Sequence, residues 1–88
     1  MADHPKLEDL SNIGNMLADL LREAGIHTPD DLYKTGATQA FLRIRAIDSD
    51  ACFSKLCALE GAVEGIRWHS LSPEKKTELK HFFLLANK

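Results

Sequence analysis

The sequence predicts an all-α fold, a compact bundle of five to six short helices in a single domain spanning residues 1–88. Three observations lead there. Apolar residues recur at helical spacing in window after window. Capping residues and glycines cut those windows into short lengths. No segment alternates apolar and polar residues in the way a half-buried strand does. Eighty-eight residues, 44% of them hydrophobic and 27% charged, suffice for one small core.

Residues 1–6 are expected to be a loose N-terminus, with Pro5 placed to open a short helix that has Leu7 and Leu10 on its apolar side. A tight turn follows at Asn12-Ile13-Gly14. Ile13, Met16, Leu17, Leu20, Leu21 and Ala24 then share one helical face, with Asp19, Arg22 and Glu23 opposite. Gly25 fits the left-handed position that ends a helix, and Ile26 is placed to pack back on Leu21. Thr28-Pro29-Asp30-Asp31 is a helix start: a capping hydroxyl, a proline in the first turn, and two carboxylates at the positive end of the dipole. That helix should close at Gly36 with Leu32 and Tyr33 inward.

Ala37, Ala40, Phe41, Ile44 and Ile47 make the next stripe, with Arg43 and Arg45 on its outer side. Asp48-Ser49-Asp50 should end this helix and cap another over about 50–65. That helix carries two stripes. Cys52, Leu56, Leu59, Val63 and, if the helix continues, Ile66 form a large one. Ala58, Gly61, Ala62 and Gly65 form one of small residues only. A glycine inside a helix costs about 1 kcal/mol against alanine. Gly61 therefore points to close approach by a neighbour, expected to be the helix that starts at Ile13. Trp68 and Leu71 should close over the core. Ser72 and Pro73 start the last helix, which buries Leu79, Phe82, Phe83 and Ala86. Leu84 and Leu85 exceed what one face needs, so partial exposure and a weak dimer are expected, with the oligomeric state open.

Segment 7–32 outlines a helix-hairpin-helix unit. In that motif the backbone N–H groups at a helix N-terminus form a small anion site. Here Asn12, Ile13, Gly14 and Asn15 are the candidate phosphate contacts. Of the motif's apolar-Pro-Gly-apolar-Gly pattern and its later alanine, Leu10, Ile13, Gly14 and Ala18 keep the apolar positions, the second glycine and the alanine. Ser11 stands at its proline and Asn12 at its first glycine. Asn12 tolerates unusual backbone angles and can cap a helix. Met16 occupies the place where a positive charge often sits.

The formal charge of −2 is uneven. Residues 1–35 carry three basic and seven acidic side chains, residues 36–88 eight basic and six acidic. Electrostatic DNA binding needs a basic surface, and the hairpin lies in the acidic half, so DNA is disfavoured as a partner. The other nucleic-acid candidate is a basic patch from Arg43, Arg45, Lys75, Lys76 and Lys80.

No catalytic, cofactor or metal site is expected. His4, His27, His69 and His81 show no ligand spacing. No nucleophile motif or nucleotide-binding Gly-rich loop appears. Glu60 and Glu64, one turn apart, fit a solvated face. Cys52 and Cys57 point about 140° apart on a helix and are expected as reduced, mostly buried thiols. No run of 18 apolar residues or signal-like start occurs, so a cytoplasmic protein with no membrane partner is expected.

The segments NIGNMLADLLREAGIHTPDDL, TGATQAFLRI and CALEGAVEGIRWHSLSPEKKTEL resemble the C-terminal domain of the TfoX/Sxy proteins over about residues 7–82. The most specific part is Ala58 to Ala62 with Gly65, Trp68 and Leu71 at their spacings; Gly25 and Thr28 complete the structural signature. The resemblance implies a small all-helical domain and regulation of natural competence in bacterial transcription, beside a cyclic-AMP receptor protein. It implies no catalytic residue. Many members carry a separate N-terminal domain, so the chain is expected either to stand alone or to be one domain of a longer protein. The expected function is a non-enzymatic regulatory module. It would contact a protein partner, either the transcription machinery or an N-terminal TfoX-type domain in cis or in trans. The alternative is a nucleic-acid-binding hairpin module.

Overall fold

The computed structural model describes residues 6–86, and Pro5, expected to open the first helix, lies outside them. A single 3-10 turn, Leu7–Asp9, precedes five α-helices: α1 (Asn15–Glu23), α2 (Pro29–Thr35), α3 (Ala37–Ile47), α4 (Phe53–Glu64) and α5 (Pro73–Ala86). A second 3-10 turn, Trp68–Ser70, joins α4 to α5. The all-α bundle of short helices is as expected from the sequence.

The stops and starts follow local chemistry. Gly25 has φ +88°, and the Ile26 N–H bonds to the Leu21 carbonyl at 2.8 Å, closing α1 by the Schellman route. Leu21 and Ile26 are both fully buried. Thr28 Oγ1 accepts from the Asp31 N–H at 3.1 Å, and the Asp31 carboxylate accepts in return from the His27 N–H. Ser72 Oγ caps α5 in the same way through the Lys75 N–H.

Helix α4 lies at the centre, packed against α3, α5 and the Trp68–Ser70 turn. Leu56, Cys57, Ala58, Leu59, Gly61 and Ala62 are all buried along it. Around it Leu17, Ala18 and Leu21 of α1, Leu32 of α2, and Ala37, Ala40, Phe41 and Ile44 of α3 complete the core with Leu7, Leu71 and Leu79.

The structure corrects several inward assignments. Met16 is 79% exposed, and Ala18 takes its place in the buried face. Ile13 belongs to the turn before α1, so its burial does not carry the stripe forward to Met16. Tyr33 is exposed because the seven-residue α2 buries only Pro29 and Leu32, one turn apart. Ile47, at the last turn of α3, is also exposed. Asp50 does not cap α4. Its N–H bonds to Asp48 Oδ1, the helix starts at Phe53, and Cys52 holds the cap position. Cys52 is therefore exposed and off the apolar stripe, whereas Cys57 is buried. Gly65 belongs to no packing face. It ends α4 in the left-handed conformation at φ +76°, and the Ile66 N–H reaches the Gly61 carbonyl at 2.9 Å.

The neighbour that requires Gly61 is also not the helix following Ile13. A Cβ at 61 would lie 2.5 Å from Asn12 Nδ2, 2.8 Å from the Ile66 carbonyl oxygen and 3.2 Å from Trp68 Cα. Asn12 Nδ2 donates to Ile66 O at 2.9 Å and, more weakly, to Ala58 O at 3.5 Å. Its Oδ1 accepts from the Trp68 N–H at 3.1 Å. One amide thus ties the first turn to α4 and to the chain that leaves it.

Gly61→Ala should destabilise the domain in urea unfolding by about 1–3 kcal/mol, as overpacked cores do. Two of the crowded atoms, the Ile66 carbonyl oxygen and Trp68 Cα, are backbone and yield little, so the clash outweighs the helix-propensity gain of about 1 kcal/mol. Asn12→Gly keeps the φ of +70° accessible while removing the amide. It should cost about 1–3 kcal/mol through the unpartnered Ile66 carbonyl and Trp68 N–H. In the double variant the penalty for alanine at 61 should shrink, because one of its two hardest contacts is gone. Strict additivity would refute the clasp.

Candidate functional site

The hairpin places Asn12, Ile13, Gly14 and Asn15 side by side but in different roles. Asn12 adopts φ +70°, as the glycine of the motif would, and its amide faces the interior. It does not cap α1. Gly14 holds that position, with no side-chain cap hydrogen bond. Ile13 is buried, and its N–H is bonded to the Leu10 carbonyl at 3.3 Å. Gly14 and Asn15 are exposed at the start of α1.

Next to this turn, α1 and the end of α3 enclose a shallow groove of about 240 Å³. Met16 and Leu20 supply its apolar lining; Asp19, Glu23 and Asp48 supply carboxylates. The nearby cation of α1, Arg22, is held by Glu8 and by Asp19 at 3.2 Å. This hydrogen-bonded pairing with Arg22 lowers the Glu8 pKa. The groove was not legible in the sequence. Met16 matched a core position, and Asp48 is far away in the chain.

The five basic residues are only partly brought together. Arg45 lies over the rings of Phe41 and Phe83, its Cζ 5.8 Å from each centroid. Lys80 Nζ lies 5.1 Å from the centroid of Phe53, which packs edge-on against Phe83. These two cations from α3 and α5 therefore share one aromatic cluster. Lys76 reaches the His69 carbonyl at 3.4 Å, and Arg43 is exposed on α3. Lys75 instead meets carboxylates, Glu78 at 3.4 Å and Glu60 at 3.9 Å.

Glu60 is not on a solvated face. Its side chain is 15% exposed. Burial, and then a hydrogen bond with Glu64, push its pKa up to about 7; Lys75 opposes the shift, and the charges of Glu64 and Glu78 add to it. The exposed Cys52 thiol is shifted down, first by its contact with Ser54 Oγ at 3.0 Å. Burial pushes the Cys57 thiol up. Among the described residues no group of three or more His, Cys, Asp or Glu side chains is arranged to hold a metal ion. No helix among them is long and apolar enough to cross a membrane.

Residues 3–83 match the TfoX C-terminal domain. The chain belongs to that family. TfoX C-terminal domains are non-catalytic and helical, and this chain is a non-enzymatic module of that type. Two crystal structures from Listeria monocytogenes are similar to it. An uncharacterized protein in a triclinic form is 51% identical, with a TM-score of 0.92 and 93% of each chain covered. A protein of unknown function in a tetragonal form is 52% identical, with a TM-score of 0.89, covering 91% of this chain and 99% of that one. No curated protein matches the chain. Within the TfoX-type sequence, Gly61 and Trp68 take their meaning from Asn12, the residue that both approach.

Glu60 sets a pH dependence. Its folded-state pKa lies above the ordinary 4.5, so between about 4.5 and about 7 the native state keeps a proton that the unfolded chain releases. The Glu60 contribution to stability should therefore be greatest below this window and fall as pH rises through it. Glu60→Gln, which stays neutral, should flatten the change in urea midpoint between pH 5 and pH 8. An unchanged slope would place the titration elsewhere.

Proposed function

We propose that this TfoX-type domain is a regulatory module of bacterial competence and transcription that works by protein contact. The carrying observation is the state of its hairpin. The Asn12 amide is bonded within the fold, and the surface beside it presents exposed Met16 among carboxylates. A phosphate backbone approaching that surface would meet Asp19 and Glu23 before any free cation of α1. Met16 instead offers a flexible apolar anchor of the kind used at adaptable protein surfaces. The partner would be the transcription machinery or an N-terminal TfoX-type domain, joined in cis or supplied in trans. Exposed Leu84 and Leu85, at 53% and 64%, add a second apolar area at the end of α5 and a route to weak self-association.

A second reading has its own support. The first turn of α1 has no side-chain cap, and Arg45 and Lys80 converge on one aromatic cluster. Both features suit backbone phosphates.

The two readings separate on salt. The full chain, titrated into labelled duplex DNA at micromolar concentration, should show no saturable binding at low or moderate salt. Binding that weakens steeply as salt rises, and that is lost in Arg45→Ala/Lys80→Ala, would establish the nucleic-acid reading and overturn protein contact as the main activity.

A further inference from the structure

We propose that the groove between α1 and the C-terminal end of α3 is the docking site for a basic amphipathic helix of a protein partner. This rests on the protein-contact reading and gives it a location and a ligand chemistry.

Three features of the groove lead to this occupant. First, Met16 and Leu20 lie one helical turn apart on α1. The exposed Met16 and half-buried Leu20 can receive apolar side chains placed at i and i+4 of a second helix. The volume of about 240 Å³ suits a few anchoring side chains and not an enclosed small molecule.

Second, every charged residue lining the groove is acidic: Asp19, Glu23 and Asp48. Arg22 is already shared between Glu8 and Asp19. The groove also lies at the C-terminal end of α3, where the helix dipole adds negative potential. An acidic or phosphate-bearing partner is repelled there. A helix with leucine-like anchors flanked by lysine or arginine complements both lining and charge.

Third, the same surface does not suit a second copy of this chain. The other exposed apolar area, at Leu84 and Leu85, offers leucine anchors on α5, but its last turn, 83–86, carries no basic side chain, and the lysine one turn before it, Lys80, lies over the Phe53 ring.

The test uses the full chain and a panel of synthetic amphipathic helices with leucines at i and i+4. Each peptide is made in a lysine- and arginine-flanked form and in a glutamate-flanked form. Binding is followed by two-dimensional NMR of the labelled domain. At least one basic peptide should bind and shift the signals of Met16, Asp19, Leu20, Glu23 and Asp48. Its glutamate form should not bind. Glu23→Lys/Asp48→Lys, both at exposed or half-exposed positions, should weaken the basic peptide about tenfold, consistent with loss of roughly 1.4 kcal/mol of charge complementarity. Met16→Ser should weaken it with no change in the salt dependence.

Equal binding of basic and acidic peptides would overturn the proposal. So would shifts confined to Leu84 and Leu85, which would leave protein contact standing at another surface. No binding by any panel member also overturns it. Concentration-dependent self-association that shifts the groove signals and disappears in Met16→Ser would make a second copy the occupant and overturn it too. Duplex DNA binding in the salt titration would fail the protein-contact reading itself, a result distinguishable from all of these.

Discussion

The side-chain amide of Asn12 is the interaction on which the arrangement depends. It donates to Ile66 O and accepts from the Trp68 N–H, spanning more than fifty residues of sequence. These backbone groups belong to the segment where α4 has ended and the chain turns toward α5. Without a partner, the two part-buried groups together would cost about 1–3 kcal/mol. The amide satisfies both with one side chain. Its own backbone pays the residual strain of φ +70°, which asparagine tolerates better than most residues. For the amide to reach them, α4 must present no Cβ at 61. The glycine, the asparagine and the Trp68 turn are thus one unit.

That unit explains why the sequence was legible in some places and not in others. Local chemistry was readable: Thr28 and Ser72 cap as their hydroxyls suggest, and Gly25 stops α1 with Ile26 folded back on Leu21. The inward positions of α3 from Ala37 to Ile44 followed from periodicity. Gly61 was visible as a place of close approach, but its neighbour was not, because periodicity carries no information on which distant element arrives. Three apolar positions misled for a related reason. Met16, Tyr33 and Ile47 all fit an apolar stripe, yet each is exposed. Place along the helix does not decide this: Pro29 at the start of α2 is buried, whereas Tyr33 near its middle is not.

The candidate site shows the same division. The four hairpin residues, consecutive in sequence, were picked out from a motif. What they do differs residue by residue, because Asn12 turns inward while Gly14 and Asn15 face out. Charge counting indicated an acidic hairpin half, but not that three carboxylates from α1 and α3 would rim Met16 and Leu20. The basic residues were counted as one patch. The fold divides them, since α5 turns Lys75 toward Glu60 and Glu78 but leaves Lys80 over Phe53. Successive positions on a helix point about 100° apart, so adjacent lysines in sequence need not share a surface.

The acidic groove and the inward amide are linked. A helix-hairpin-helix turn that binds phosphate keeps its N-terminal N–H groups open and its surroundings positive. Here the asparagine at the first glycine position fastens the hairpin to α4, and α1, which follows the hairpin, packs on α3. Rigid placement is what a docking groove between two helices requires, since its shape is set by the separation of α1 and the end of α3. The same substitution that serves the internal clasp therefore also steadies the surface where Met16 stands among Asp19, Glu23 and Asp48. The motif's geometry is retained, and the chemistry around it is what supports the proposed cationic, apolar-anchored partner over a polyanion.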